Sequence, residues 1–258
     1  MRKPTAFARR TGLLVMVLTI VLLASVTNSV VASRPGAAAS STMAWSATFE
    51  TASQDQFNAC CNHNNGAVVS VSQTLFRSGT YSGYYYYIGQ APGESPRGYP
   101  SHDFLSSIRR FLIEIWVYVP STVNGQPVTL TSWLSFISVW INQDGCCAVN
   151  PVTVDSDTNR EMHVRLGLLQ STKNIAYQSG HVKWSFDKWF RISLQVEINS
   201  GNTNSKITLL QDGQTIVTWT GKLPSVANGL GRVHFGLYAG GNQGTLAIFN
   251  DDISVKSL

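Results

Sequence analysis

Apolar and polar residues alternate with a period of two along most of the chain after residue 43, which is the pattern of β-strands. Turn dipeptides such as Asn65-Gly66, Asn124-Gly125 and Asp212-Gly213 separate these runs, and no window shows a helical period long enough for a stable helix. The predicted strands are 44–50, 67–76, 82–88, 109–119, 128–141, 161–169, 181–185, 189–198, 205–211, 215–220, 232–239, 245–250 and 252–257. We therefore predict an all-β fold, with two antiparallel sheets packed as a jelly-roll sandwich.

Two of these runs place imidazole, guanidinium and phenol groups on one side of the strand, opposite apolar residues. The residues that carry these groups are His163 and Arg165 in the run 161–169, and Arg232, His234 and Tyr238 in the run 232–238. If both strands lie in one sheet, these groups form a polar floor. Such a floor suits sugars, acidic ones in particular, because guanidinium groups bind carboxylates and imidazole titrates near neutral pH.

Aromatic residues provide a second candidate for sugar binding. Trp116 and Tyr118 lie on the same side of the run 109–119 as Glu114, and an exposed ring on a sheet can stack against a sugar. The run 128–141 is apolar on both sides, which predicts a central strand with Trp133 and Trp140 in the core.

Two further segments have no strand pattern. The Pro- and Gly-rich segment 89–103 reads either as the wall of a groove or as a surface loop. Asp155 and Asp157 alternate as the acids of some glycosidases do, but turn-like residues follow them, and we expect them in a loop.

The beginning of the chain resembles an export signal. Four basic residues, an apolar run over 13–24 and small residues near 32 predict a signal peptide over 1–32, followed by a linker over 33–42 and one domain over 43–258. The chain has 19 basic and 14 acidic residues, and four of the basic ones lie before residue 33. The mature protein is therefore nearly neutral, with no basic tract for nucleic acid. We expect a secreted monomer without a membrane anchor.

The cysteines form two adjacent pairs, Cys60-Cys61 and Cys146-Cys147, in turn-rich segments. Disulfides are the default in an exported protein, and four cysteines allow three connectivities. Because a bridge between neighbouring cysteines is strained, we expect bridges between the two segments. A zinc site is the alternative, although zinc ligands are usually spaced further apart.

The order of short motifs resembles the concanavalin A-like, laminin G-like jelly-roll superfamily, and within it secreted polysaccharide lyases and their non-catalytic relatives. The motifs include "WVYVP" at 116–120, "HFGLYAG" at 234–240 and "FNDDISV" at 249–255. The tract 235–243 is similar to a "KAGxYNQ" strand of alginate lyases, with Phe235 in place of the lysine.

This resemblance implies a lyase that cleaves a uronic-acid polymer by β-elimination. Arg165 or Arg232 would neutralise the carboxylate, with help from Gln243. His234 or His163 would take the C5 proton, and Tyr238 would protonate the leaving oxygen.

The resemblance also implies a structural calcium ion. Glu50 ends the first predicted strand, Asp251 and Asp252 lie at the beginning of the last one, and hard carboxylate oxygens suit Ca²⁺. Ordinary turn hydrogen bonds are the alternative for these three acids.

Other function classes have less support. The sequence contains no G-x-S-x-G elbow, P-loop, dinucleotide fingerprint or H-E-x-x-H motif. A polysaccharide lyase, a lectin-like binding module and a cell-surface structural protein stay open at this point.

Overall fold

The computed structural model describes residues 41–59, 63–88, 93, 95–141, 151–167, 174–199, 204–223, 229–241 and 243–258. The chain divides into two units, Met1–Ala38 and Ala39–Leu258, and the first unit, with the predicted signal peptide, lies outside these residues. No helix capable of spanning a bilayer occurs in the described ranges. Strands are their only regular elements.

The first eight strands are β1 (Thr42–Ala47), β2 (His63–Asn64), β3 (Ala67–Ser72), β4 (Ser82–Tyr87), β5 (Arg97–Gly98), β6 (Ser101–Ile108), β7 (Arg110–Tyr118) and β8 (Thr122–Val123). The others are β9 (Gln126–Pro127), β10 (Leu134–Ile141), β11 (Pro151–Ser156), β12 (Glu161–Gly167), β13 (Asn174–Lys183), β14 (Phe190–Glu197), β15 (Ser205–Gln211), β16 (Gln214–Gly221), β17 (Leu230–Ala239) and β18 (Leu246–Ser257).

Two eight-stranded antiparallel sheets contain all but two of these strands. The first sheet has the order β16-β15-β14-β7-β18-β4-β3, with β1 paired to β18, and the second has the order β13-β12-β11-β10-β17-β5-β2, with β6 paired to β17. The small hairpin β8-β9 stands apart. This arrangement confirms the predicted two-sheet sandwich.

One hydrophobic core lies between the two sheets. The core contains alternate residues of β7, such as Ile113 and Val117, and of β17, such as Val233 and Phe235, and all four are fully buried. The other faces of the two sheets therefore point to opposite sides of the sandwich. Apolar burial of this extent is the main favourable term in folding.

The turn predictions hold at three places. Asn65-Gly66, Asn124-Gly125 and Asp212-Gly213 each have positive φ at both residues, the conformation of tight hairpin turns. Asp144-Gly145 and Asn228 lie outside the described residues. In the tyrosine run, Tyr85 and Tyr87 are buried and their neighbours are half-buried, as a period of two requires.

Several element predictions differ from the structure. The strands at 97–98, 101–108 and 151–156 were not predicted, and the runs 245–250 and 252–257 form one strand with a register shift between Asp251 and Ser254. Pro96, Gly98 and Pro100, which lie in or beside the first two strands, concealed them in the sequence. Strand 97–98 has two residues and strand 101–108 has eight, and both pair with β17.

Candidate functional site

The outward face of the second sheet, which we call the polar face, carries all five predicted catalytic residues. Directly opposed residues of neighbouring antiparallel strands share a face. One row runs from His234 through Ser138 and Thr153 to Arg165. A second row runs from Tyr238 through Ser135 and Asp155 to His163.

The two histidine-bearing strands are not neighbours. β10 and β11 separate β17 from β12, so their side chains lie about 14 Å apart at a strand spacing of about 4.8 Å. The predicted common face is confirmed, but it holds two separate groups of residues, one around His234 and Tyr238 and one around His163 and Arg165.

His234 is buried between two aromatic rings. Tyr99 stacks on its imidazole at 5.0 Å between centroids, and the ring of Trp140 lies 4.7 Å away on β10. Its Nδ1 atom has no hydrogen-bond partner among the described residues. Burial, together with the nearby Arg232, lowers the pKa of His234 to about 3. The imidazole is therefore neutral at physiological pH.

Tyr238 lies beside the most exposed guanidinium of the polar face. Nη2 of Arg97 donates a hydrogen bond of 3.0 Å to the Tyr238 hydroxyl, and the Arg97 Cζ atom lies 4.5 Å from the centre of the phenol ring. Trp133 packs edge-on against the same ring at 4.8 Å. The described residues include no carboxylate paired with Arg97, so this cation is free to meet an anion from solvent.

Arg232, by contrast, is already paired. Its Nε and Nη2 atoms donate to the two carboxylate oxygens of Asp103, and its Cζ atom lies 5.1 Å from the centre of the Trp140 ring. Only about 10% of the Arg232 side chain is exposed. A two-pronged pair of this kind leaves little of the guanidinium for a substrate.

The second group surrounds Arg165. Its Nε atom lies 2.7 Å from Oδ2 of the buried Asp155 and 3.3 Å from the Thr153 hydroxyl. His163 is also buried, with Nε2 3.7 Å from Oδ2 of Asp157. Burial lowers the pKa of His163 and raises the pKa of Asp155, while the charges on Asp157 and Arg165, respectively, act against these shifts.

Several solved structures superpose on most of this chain. The endo-β-1,4-glucuronan lyase of the fungus Trichoderma reesei superposes with a TM-score of 0.63 at 13% identity, covering 84% of this chain and 96% of that one. The cellulose-induced protein Cip1 gives a TM-score of 0.59 at 14% identity, covering 83% and 97%. The alginate lyase vAL-1 from Chlorella virus gives 0.58 at 10% identity, covering 84% and 100%.

The fold is a concanavalin A-like jelly roll. The predicted likeness to polysaccharide lyases of this type is confirmed at the level of structure. No family model matches the sequence, and no curated protein matches it significantly. At such low identities the likeness concerns the fold, and function has to be argued from the side chains.

The aromatic residues predicted to bind sugar lie on the other side of the sandwich. Trp116, Tyr118 and Glu114 point outward from β7 in the first sheet, because the residues between them face the core. Arg77 lies over Trp116 at 4.5 Å, and Lys256 pairs with Glu114 at 2.6 Å. They therefore do not share a face with His234, and their role in sugar binding stays a prediction.

The three predicted calcium ligands lie around one loop. Glu50 accepts hydrogen bonds from the backbone N–H groups of Thr80 and Tyr81, and Asp251 accepts them from Arg77 and Ser78. The hydroxyl of Ser78 donates to Asp252. In the described ranges, no three His, Cys, Asp or Glu side chains are arranged to hold a metal ion. This arrangement is the turn hydrogen bonding considered above, and calcium here stays a prediction.

Two other predictions have different outcomes. The Gln243 side chain is buried, and its Oε1 atom accepts from the backbone N–H and the hydroxyl of Thr131, so it joins two loop segments. The four cysteines, Cys60, Cys61, Cys146 and Cys147, lie outside the described residues, and their pairing stays a prediction.

Sequence reasoning missed several residues of the polar face. Arg97, Tyr99 and Asp103 come from the segment 89–103, whose described part does wall the groups around His234 and Tyr238. Asp155 is a strand residue, not a loop residue as expected.

Trp133 and Trp140 contact the polar face and are only half-buried, which corrects their predicted place in the core. The available signal for the outward direction of Trp140 was its alternation, together with Ser138, with the apolar residues Val139 and Ile141. The register shift between Ser135 and Ile137 interrupts this alternation and concealed it.

Proposed function

We propose that this protein is a secreted lyase that cleaves a uronate-containing polysaccharide at the His234 and Tyr238 end of the polar face. The hydrogen bond from Arg97 to Tyr238 carries the proposal, because it places an unpaired cation beside a proton donor. Structural neighbours that act on glucuronan and alginate add support at the level of the fold.

Each step of β-elimination has a candidate residue. Arg97 binds the uronate carboxylate, which makes the C5 proton more acidic by stabilising the charge that develops there. Neutral His234 takes that proton, the electron pair forms the C4–C5 double bond, and the C4–O bond breaks. Tyr238 gives its proton to the departing oxygen.

The low pKa of His234 is compatible with this role when substrate is bound. Burial and two nearby cations, Arg232 and Arg97, lower the pKa in the free protein. A substrate carboxylate on Arg97 would offset the effect of that cation, and the pKa would rise toward the range in which a general base works best.

A glycan-binding protein without catalysis is the second candidate. The observation that favours it is the pairing of Arg165 and Arg232 with internal carboxylates, together with the half-buried rings of Trp133 and Trp140. Such a face can bind a sugar polymer through ring contacts and hydrogen bonds alone.

One experiment separates the two candidates. The purified mature protein is incubated with glucuronan, alginate, pectin and heparin-type polymers, and unsaturated ends are followed by ultraviolet absorbance. A lyase produces absorbance with at least one polymer, and Tyr238→Phe lowers kcat by about 10²- to 10⁴-fold. Tyr86→Phe, on the outward face of the first sheet, is the matched control and keeps full activity. Binding to a polymer without any product would favour the second candidate.

A further inference from the structure

A line of two aromatic rings with a guanidinium group at each end crosses the polar face. The Arg97 Cζ atom lies 4.5 Å from the Tyr238 ring, that ring lies 4.8 Å from Trp133, and the Arg165 Cζ atom lies 5.2 Å from Trp133. Two guanidinium groups therefore bracket two rings, and the line runs across the strands from Arg97 on β5 to Arg165 on β12.

The guanidinium of Arg165 is held in place and still presents nitrogen atoms to a ligand. Only its Nε atom is engaged, by Asp155 and by the Thr153 hydroxyl. Neither Nη atom makes a hydrogen bond to another described residue, and about 31% of the side chain is exposed. A guanidinium anchored through Nε can offer both Nη atoms to one carboxylate.

The third guanidinium of the polar face, that of Arg232, does not present two nitrogen atoms to a ligand in the same way. Arg232 donates from its Nε and Nη2 atoms to Asp103 and is mostly buried. The polar face thus presents cationic groups at its two ends, Arg97 and Arg165, with the rings of Tyr238 and Trp133 between them.

We infer that Arg165 and Trp133 form a second carboxylate-binding position, separate from the one at Arg97. This inference rests on the proposed function and narrows its substrate to a polyuronate, in which more than one sugar residue carries a carboxylate. Arg97 lies on β5 and Arg165 on β12, four strand spacings or about 19 Å apart, so the bound polymer spans several sugars and lies across the strands.

The test compares uronate oligomers of increasing length on the protein and on Arg165→Gln. A polymer that the wild-type protein cleaves supplies the oligomers. We expect KM for the long oligomers to rise by about 10- to 100-fold in the variant, as for the loss of a charged hydrogen bond. KM for the shortest cleaved oligomer stays unchanged in the variant, and so does kcat. Arg110→Gln, on the first sheet, is the matched control.

A further variant guards against a folding defect. Arg165→Gln leaves Asp155 buried without its partner, so the double variant Asp155→Asn/Arg165→Gln is measured in parallel, with circular dichroism on each. An effect of equal size at every length, or none at any length, would overturn the second position while leaving the lyase proposal intact. Failure of the wild-type protein to bind or cleave any polyuronate would overturn both.

Discussion

Arg97 donates a hydrogen bond of 3.0 Å to the hydroxyl of Tyr238 while its guanidinium also lies over the phenol ring. The two residues belong to neighbouring strands, β5 and β17, and face each other directly in the register. A cation held in this way stabilises negative charge on the phenol oxygen and on any carboxylate that binds beside it.

Replacing Arg97 should therefore impair turnover. We expect Arg97→Ala to lower kcat/KM on the cleaved polymer by about 100-fold, comparable to losing one donor to a developing negative charge. Arg97→Lys keeps the charge but loses the two-pronged geometry, and it should recover only part of the activity. Arg110→Ala, an exposed arginine on the first sheet, serves as the control in steady-state assays. Equal activity of the three variants would remove Arg97 from the mechanism.

The buried imidazole of His234 should make stability depend on pH. The pKa of His234 is about 3 in the folded protein, and its reference value for the unfolded chain is 6.5. Between pH 3 and pH 6.5 the unfolded state therefore binds more protons than the folded state. The free energy of unfolding then falls as pH drops from 6.5 toward 3, by up to about 1.4 kcal/mol per pH unit, and this contribution is fully present above pH 6.5.

Denaturant unfolding at several pH values checks this dependence. We expect His234→Gln to flatten the slope of stability against pH in that window. Gln214→Ala, at an exposed position without an ionisable group, should leave the slope as it is in the parent protein. Parallel slopes for the parent and His234→Gln would contradict the buried neutral state.

A glycine shapes β17 next to the site. Gly236 has φ of +98°, and a Cβ atom there would lie 2.5 Å from the backbone oxygen of Gly98 on β5. Gly236→Ala should cost about 2–4 kcal/mol, since both the dihedral angle and the contact are unfavourable. Gly125→Ala has positive φ but open space around it and should cost about 1 kcal/mol. Thermal unfolding of the two variants separates the effect of the close contact from the effect of the dihedral angle. Equal losses of stability in the two variants would argue against a contribution from the contact with Gly98.

The pair of Arg232 and Asp103 should matter for stability. Arg232 is mostly buried, so Asp103→Ala leaves a charge without its partner, and we expect a loss of about 2–3 kcal/mol in chemical denaturation. Asp103→Ala/Arg232→Met should regain most of this loss, because the unpaired charge is gone. Glu197→Ala breaks an exposed pair with Arg110 and should cost less than 1 kcal/mol. No recovery in the double variant would show that the charge itself is not the cause.

Alternation along β12 and β17 was sufficient to predict which of their residues face the core. Val164 and Phe235 were expected to face inward, with His163 and His234 opposite them, and this is how they lie. The period of two is a local property of the backbone, so it can be read without knowing what a strand pairs with. The sandwich followed from many such runs separated by turns.

The alternation along strands could not predict which residues come together in the candidate site. Arg97, Tyr99 and Asp103 reach the polar face from a Pro- and Gly-rich segment, and the register shift in β10 concealed Trp140. Trp116 and Tyr118 fit the pattern of an exposed strand face equally well, but β7 belongs to the other sheet.

The sequence alone determined most of the strands, the inward faces of the regularly alternating ones and the residue types available for sugar chemistry, because each depends on neighbours only a few positions away. The tertiary structure decided which strands lie side by side, and hence that Arg97 meets Tyr238 and that two strands separate His163 from His234. Strand order arises from pairing between distant segments, and the packing that selects it involves the whole core.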